Sequence, residues 1–375
     1  MSIIDFLTER FLKDVTPEIL ELGSHKFRRI AGIFQDKTFK LDTFAEVPSE
    51  GILNFYPDRK TAISNSGLFR KKIAELYGGR LPSEKHVSII LPDQAFGMGI
   101  THLSTVTLKI NPMAAIERKV QSSMPLPLAN YKLVFESGQP KGNKTPILFA
   151  VGIENVLKEI TNAAFSSGLL PLSITPSCIM LSGLIRHMES AQNSPYPSVI
   201  LHMGHGNSFL GIALNGLLRF METIPIGGKI FVETLIEGES KTRQEIEKKL
   251  QEEKILLEEP TSDAQGEIPT YKILEPVFAE LLKRIYEGLQ THSQEFPQEG
   301  AFRRILVSGG LSAFKNFDKL INGNLGLTVI RIGTLFSVIG PNGPLLADEI
   351  ARIAPLLGGI LLRPWKIEKL EKLVA

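Results

Sequence analysis

The sequence has a single cysteine, Cys178, and a single tryptophan, Trp365, in 375 residues. One thiol excludes a disulfide framework and any cysteine-rich zinc site, and it fits a reducing compartment. Charge excess is also missing: 42 lysines and arginines stand against 40 aspartates and glutamates, a formal charge of +2, too little to hold nucleic acid by bulk basicity. No long apolar run is present. The longest, Ile353 to Leu362, has about half of the roughly 20 residues that a bilayer span needs, and it contains Pro355, Gly358 and Gly359. The N-terminus, MSIIDFLTERFLKDV, interrupts its apolar residues with Asp5, Glu9, Arg10, Lys13 and Asp14, so it lacks the core of a secretory signal. These absences predict a cytoplasmic protein with no transmembrane span and no nucleic-acid partner.

What is present is enough apolar material, 43% of residues, to build sizeable cores, and at roughly 150 residues per domain the length suggests two domains. Ile4, Leu7, Phe11 and Val15 recur at helical spacing, which marks residues 1–16 as an amphipathic segment that packs on its own domain or meets a membrane or partner. ELGSHKFRRIAGIF reads as a hairpin turning at Gly23 to Lys26, TFKLDTFAEV as a third strand, Ser64 to Tyr77 as a helix and HVSIILP as a buried strand, a β-β-β-α-β unit. Between 101 and 145 the pattern changes: STVTLKI reads as a strand, Pro112 to Met124 as a helix with proline in its first turn, and NYKLVFES as another strand. A small α+β insertion is implied. KTPILFAVGI, the helix Ile153 to Ser167 and LLPLSITPS then return to the α/β alternation of the first unit.

The serine and proline cluster SAQNSPYP, residues 190–197, is the best boundary in the chain. After it come three apolar stretches separated by Gly204 to Asn207 and by Asn215-Gly216, which predict a meander. A charged helix over Lys241 to Glu258, an amphipathic helix over Ile273 to Gln290, the strand RRILVSGG with its diglycine turn, a short helix and the strand LTVIRIG complete a second α/β half. Glu21-Leu22-Gly23-Ser24 opens the first half and His202-Met203-Gly204-His205 opens the second. Two lobes that each begin with a glycine-turned hairpin would face two backbone turns across a cleft, where their N–H groups can cradle phosphate oxygens. Singly, each turn and each glycine pair also reads as an ordinary tight turn chosen for backbone freedom.

These segments resemble, over about Leu20 to Arg363, the actin-like ATPase superfamily, and within it the PilM family of type IV pilus inner-membrane assembly proteins, relatives of FtsA. The family's first phosphate loop, like D-I-G-S-S-S-V-K, is matched by Glu21-Leu22-Gly23-Ser24-His25-Lys26-Phe27-Arg28. Its second, like D-I-G-x-x-x-T, is matched by His202-Met203-Gly204-His205-Gly206-Asn207-Ser208. Asn111-Pro112-Met113 with the following AAIERKVQSSMPLPLANYKLVFE is similar to the family's insertion, with Glu117, Pro125 and Pro127 in register. FSSGLLPLSITPSCIMLSGL, IPIGGKIFVETLIEG, LVSGGLSAFKNF and IAPLLGGILLR resemble further family segments in family order.

The resemblance implies a two-lobed fold of duplicated ribonuclease H-like lobes: a first lobe at 17–100 and 146–195, the insertion at 101–145, and a second lobe at 196–375 with a nucleotide-side subdomain at 231–275. It implies ATP and Mg as candidate ligands, held by Gly23, Ser24 and Lys26, by Gly204, Asn207 and Ser208, by Gly227 and Gly228, by Gly309 and Gly310, and on the adenosine side by Glu247 and Lys248. It implies as partner the N-terminal cytoplasmic tail of an inner-membrane PilN-like protein, docked beside the insertion with Pro125 and Pro127 shaping the groove. Other inner-membrane pilus or secretion components and self-association belong to the same implication.

The chain departs from the family where chemistry is done. Both loop carboxylates that act on magnesium and water are altered: Glu21 lengthens the arm by a methylene, and His202 replaces the acid with an imidazole better suited to transition metals than to magnesium. Glu21 and His202 remain the candidate catalytic pair, and Glu21 the candidate magnesium ligand. His202 and His205 read as loop filling or as phosphate contacts when protonated, and Lys26 and Arg28 as added positive charge. The expectation is a scaffold with weak ATP turnover or none. The alternatives are an active actin-like ATPase and an FtsA-like filament-forming tether, for which WKIEKLEKLV at 365–374 is the candidate amphipathic helix.

Overall fold

The computed structural model describes residues 18–53, 55, 62–123, 131–137, 142–192, 196–214, 217–252, 270–313 and 317–362. The amphipathic segment 1–16, Pro125, Pro127, the Asn215-Gly216 turn and the helix read at 365–374 lie outside them. Among the described residues no helix is long and apolar enough to cross a membrane.

The first hairpin forms as read: β1 (Glu18–Leu22) pairs antiparallel with β2 (Lys26–Gln35), and β2 with β3 (Thr38–Pro48). Helix α1 (Ser66–Leu76) is capped by the Asn65 carboxamide, which accepts the Leu68 N–H at 2.9 Å. It leads to β4 (Lys85–Leu91), which lies parallel to β1 and is buried almost end to end. In the second half, β9 (Ser198–Met203), β10 (Ser208–Leu214) and β11 (Leu217–Ile224) form the expected meander. Helices α6 (Gly228–Glu239), α7 (Arg243–Glu252) and α8 (Thr270–Glu295) then carry the chain to β12 (Arg304–Gly309), parallel to β9. Through α9 (Phe317–Leu325) it reaches β13 (Thr328–Arg331).

The two halves repeat one topology. With β8 (Leu169–Pro176), the first sheet contains the order β3-β2-β1-β4-β8, and the second has the order β11-β10-β9-β12-β13. Each therefore has a three-strand meander followed by two parallel additions beside its first strand, as the repeated hairpin signature predicts. Each sheet covers its outer face with its own helices. In the first half Phe27, Val87 and Ile89 meet Phe69 and Ile73 of α1 and Ile160 of α4 (Glu154–Ser166). In the second half Leu201, Leu210 and Val307 meet Phe231 of α6 and Phe278 and Leu281 of α8. The inner faces share a third core, in which Ile19 and Ile30 of one sheet and Ile200 and Phe209 of the other pack with α5 (Ser177–Gln192) and α11 (Ala354–Leu361). A Cβ at Gly358 would lie 1.9 Å from the Met180 carbonyl oxygen, so the backbone of α11 lies against that of α5.

The structure corrects the sequence reading in three places. KTPILFAVGI, expected to resume the α/β alternation of the first unit, is β7 (Lys144–Ile153), the middle strand of a separate three-stranded sheet. That sheet comprises β5 (Phe96–Ser104), β6 (Tyr131–Ser137) and β7, with α3 (Pro112–Ser123) packed on Ile147, Phe149 and Val151 through Ile116 and Val120. The subdomain thus extends beyond 101–145 on both sides, from Phe96 to Ile153. A continuous apolar strand suits the middle of either sheet, so its composition did not choose between them. STVTLKI, read as a strand, is instead the end of β5 followed by α2 (Thr105–Ile110). The true strand hid behind its glycines: Gly99 pairs with Phe149, whose ring would come within 2.8 Å of a Cβ there. Finally, the second lobe does not run to the C-terminus. Strands β14 (Ser337–Gly340) and β15 (Gly343–Pro344) join the first sheet through β3, and α10 (Ala347–Arg352) and α11 follow into the shared core.

Candidate functional site

The two hairpin turns are built alike. Gly23 N–H donates to the Lys26 carbonyl at 3.1 Å between β1 and β2, and Gly204 N–H donates to the Asn207 carbonyl at 3.0 Å between β9 and β10. A Cβ at Gly23 would lie 2.7 Å from the Lys26 oxygen and one at Gly204 2.9 Å from the Asn207 oxygen, so each turn needs its glycine for close approach rather than for an unusual φ. The first turn is tied down by Ser49, whose N–H bonds the His25 carbonyl at 2.9 Å and whose hydroxyl bonds the Ser24 carbonyl at 2.6 Å.

The diglycines brace the second turn. Gly228 N–H donates to the Gly204 carbonyl at 2.9 Å and Lys229 N–H to the His205 carbonyl at 2.8 Å, so the first turn of α6 spends these donors on the loop. Gly227 is packed against it: a Cβ would meet the Asn207 nitrogen at 2.5 Å. Gly309 has φ of +89°, and a Cβ there would lie 2.2 Å from the Met203 carbonyl, which holds the end of β12 against β9. Gly310 has nothing within 4 Å of its Cβ position and faces open space.

The turns converge on one cleft of about 590 Å³ between the two sheets. Of the residues expected to hold a ligand, Gly23, Ser24, Lys26, Gly204, Asn207, Gly228, Gly309 and Gly310 line it, as do Glu21 and His202. Ser208 does not: it is buried, and its hydroxyl donates to the Ile226 carbonyl at 2.6 Å. Gly227 sits behind the lining as a brace. The Glu247 and Lys248 side chains, on α7, lie outside the described residues.

The register across β1, β2 and β3 sets the electrostatics. Glu21 faces Arg28, and Arg28 faces Glu46. The Arg28 guanidinium donates to the Glu21 carboxylate at 2.8 Å and to the Glu46 carboxylate at 3.3 Å, and Glu46 also accepts from Lys26. Arg28 is thus a partner of the first-loop carboxylate as well as added charge. His202, the counterpart of Glu21 on β9, has Nδ1 2.9 Å from the hydroxyl of buried Ser308 on β12. Burial, and then the positive charge of Arg28, pull its pKa down to about 4. His205 is held at about 4 by burial and by the charges of His25, Arg243 and Lys229. Both are therefore biased toward the neutral imidazole at neutral pH. The His25 and His205 rings, one from each turn, stack across the cleft with centroids 4.6 Å apart and planes 20° apart.

Sequence reasoning missed Asp93 in the lining. It follows β4 at the C-terminal edge of the sheet, is 3% exposed, and accepts from the Ser177 hydroxyl and the Cys178 N–H, both at 2.9 Å, at the start of α5. Burial pushes its carboxyl upward. Pro92-Asp93 directly after a buried parallel strand was the available signal, because ligands in α/β folds collect outside the carboxyl ends of strands. Asp348 and Arg352 of α10 complete the lining and were missed because that segment was assigned to the other lobe.

Backbone turns and an open glycine suit a phosphate chain. The donor set does not suit magnesium, a hard cation that wants anionic oxygen. Glu21 and Glu46 are ion-paired, Asp93 is buried with two donors on it and biased toward its neutral form, and His202 offers nitrogen. Among the described residues no three His, Cys, Asp or Glu side chains form a metal-holding group.

No protein-family profile and no curated protein sequence matches the chain. Solved structures do. The chain is similar to one in a PilM-PilN type IV pilus biogenesis complex, with 17% identity, a TM-score of 0.74, and coverage of 93% of this chain and 98% of that one. It is also similar to MreB 5 of Spiroplasma citri bound to AMPPNP, with 12% identity, a TM-score of 0.52, and coverage of 96% and 99%. Together with the repeated sheet order and the facing turns, these likenesses give the chain the two-lobed actin-like ATPase fold.

Proposed function

We propose that the chain is an actin-like scaffold of a type IV pilus or related secretion machine, that it holds the N-terminal cytoplasmic tail of a PilN-like inner-membrane protein, and that its cleft holds ATP with negligible hydrolysis. The observation that carries this reading is the likeness, end to end, to a chain of the PilM-PilN complex. The protein then works on the cytoplasmic side of the inner membrane and meets that membrane through its partner. The tail docks as an extended peptide beside the small sheet of β5, β6 and β7, by apolar side chains in pockets or by strand addition.

ATP occupancy is supported by the paired backbone turns and by the likeness to a nucleotide-bound MreB 5. Hydrolysis needs a held metal ion and a positioned water. In this cleft the first-loop carboxylate is paired with Arg28, and its counterpart is a neutral imidazole engaged with Ser308. Binding and turnover are therefore separable here.

The test is a titration of the full chain with the N-terminal tail peptide of a PilN-like protein from the same genome. Saturable binding, lost when residues 96–153 are replaced by a short linker, is the expected result. No binding, or binding that survives the replacement, would refute the scaffold assignment.

A further inference from the structure

We propose that the cleft takes the phosphate chain of its nucleotide without a divalent metal ion, the phosphate displacing Glu46 from Lys26 and Arg28 while Arg28 keeps Glu21. This rests on the occupancy reading above and adds the ionic form of the ligand and the residues that select it.

Of the two carboxylates on Arg28, only one can leave at low cost. Glu21 and Arg28 are both largely withdrawn from water, with side chains 15% and 16% exposed, and they face each other directly across β1 and β2. Freeing Glu21 for a metal would leave the part-buried guanidinium with only its longer 3.3 Å contact to Glu46 and set a divalent cation beside it, two unfavourable changes at once. Glu46 is different. It lies on the neighbouring strand with a side chain 36% exposed, it lines the same cleft, and it is shared between Lys26 and Arg28. A phosphate that replaces it inherits both cations as charge-assisted donors, while Glu46 turns to solvent and no buried charge is left alone. The remaining acids of the lining do not restore a metal site. Asp93 is buried with two donors on one oxygen, and Asp348 adds one carboxylate on α10 with the cation of Arg352 in the same lining. An arginine keeps its charge at any working pH, so Arg28 can serve permanently where a metal ion must be recruited.

The experiment is a calorimetric titration of the full chain with ATP, once in EDTA and once in excess magnesium, repeated with Glu46→Gln and Lys26→Ala. Glu46 is a part-exposed rim residue, so its amide variant should fold like the parent. The expected result is a wild-type affinity in EDTA within about threefold of that in magnesium. Glu46→Gln should tighten EDTA binding by about tenfold, and Lys26→Ala should weaken it by a similar factor, the worth of one charge-assisted hydrogen bond. Binding that magnesium strengthens by more than about tenfold overturns the inference and leaves nucleotide occupancy standing, since that is what a metal-bridged phosphate would give. An unchanged or weakened Glu46→Gln also overturns it. No binding under either condition refutes occupancy itself, and this inference with it.

Discussion

Acidifying the protein tests whether its cleft is built around a neutral imidazole. His202 is placed by β9, bonded to Ser308 on β12, and held by burial and by Arg28 at a pKa of about 4 against 6.5 for a free histidine. The folded pKa lies below the unfolded one, so as pH falls the unfolded chain takes up the proton first. The stability this group contributes is complete above pH 6.5 and is lost between 6.5 and 4. The whole shift corresponds to about 3 kcal/mol, of which about 2 kcal/mol is lost on going from about pH 7 to about pH 4.5. His205 acts in the same direction over the same window. The raised carboxyl of Asp93 opposes both, because protonating it favours the folded form. The His202 contribution is isolated by comparing wild type with His202→Asn in urea unfolding at the two pH values. Wild type should lose about 2 kcal/mol more than the variant on acidification. Parallel losses would show that His202 titrates as an ordinary solvated histidine and that the cleft is not organised as described.

Two further outcomes follow from the same geometry. Gly309→Ala places a methyl 2.2 Å from the Met203 carbonyl on a backbone with φ of +89°, so it should cost about 3 kcal/mol or more, read as a lowered denaturation midpoint with loss of ATP binding. Glu159→Ala removes the carboxylate of α4 that accepts the Ala62 and Ile63 N–H groups at 2.7 and 3.0 Å, so it should cost about 2 kcal/mol, read as a lowered denaturation midpoint, with ATP affinity unchanged.

The hairpins, the duplication and the facing turns were legible because glycine at a tight turn and alternation along a strand are local signals. Gly23 and Gly204 announce their turns in four-residue windows, and the structure gives the two turns the same hydrogen bond. Strand allegiance was not legible. KTPILFAVGI satisfies the rules for a buried strand in either sheet, and only its pairing with β5 and β6 decides. The return of β14 and β15 to the first sheet is likewise a long-range choice with no local marker. Within the site, Glu21 and His202 stood out as departures, but their state depends on partners that register supplies: Arg28 seven residues on and Ser308 on a strand more than a hundred residues away. The His25 and His205 stack needs both lobes in place, and no window of sequence contains it.

The central claim is that this actin-like cleft binds without turning over. The direct measurement is phosphate release by the full chain in saturating Mg-ATP, run beside the calorimetric titration on the same preparation. The account predicts saturable binding with release at the level of the buffer blank, unchanged in Glu21→Gln and His202→Asn. Steady release by the wild type that either substitution abolishes would contradict it, because the two positions would then be performing the metal and water chemistry that Arg28 and Ser308 are argued to withhold from them.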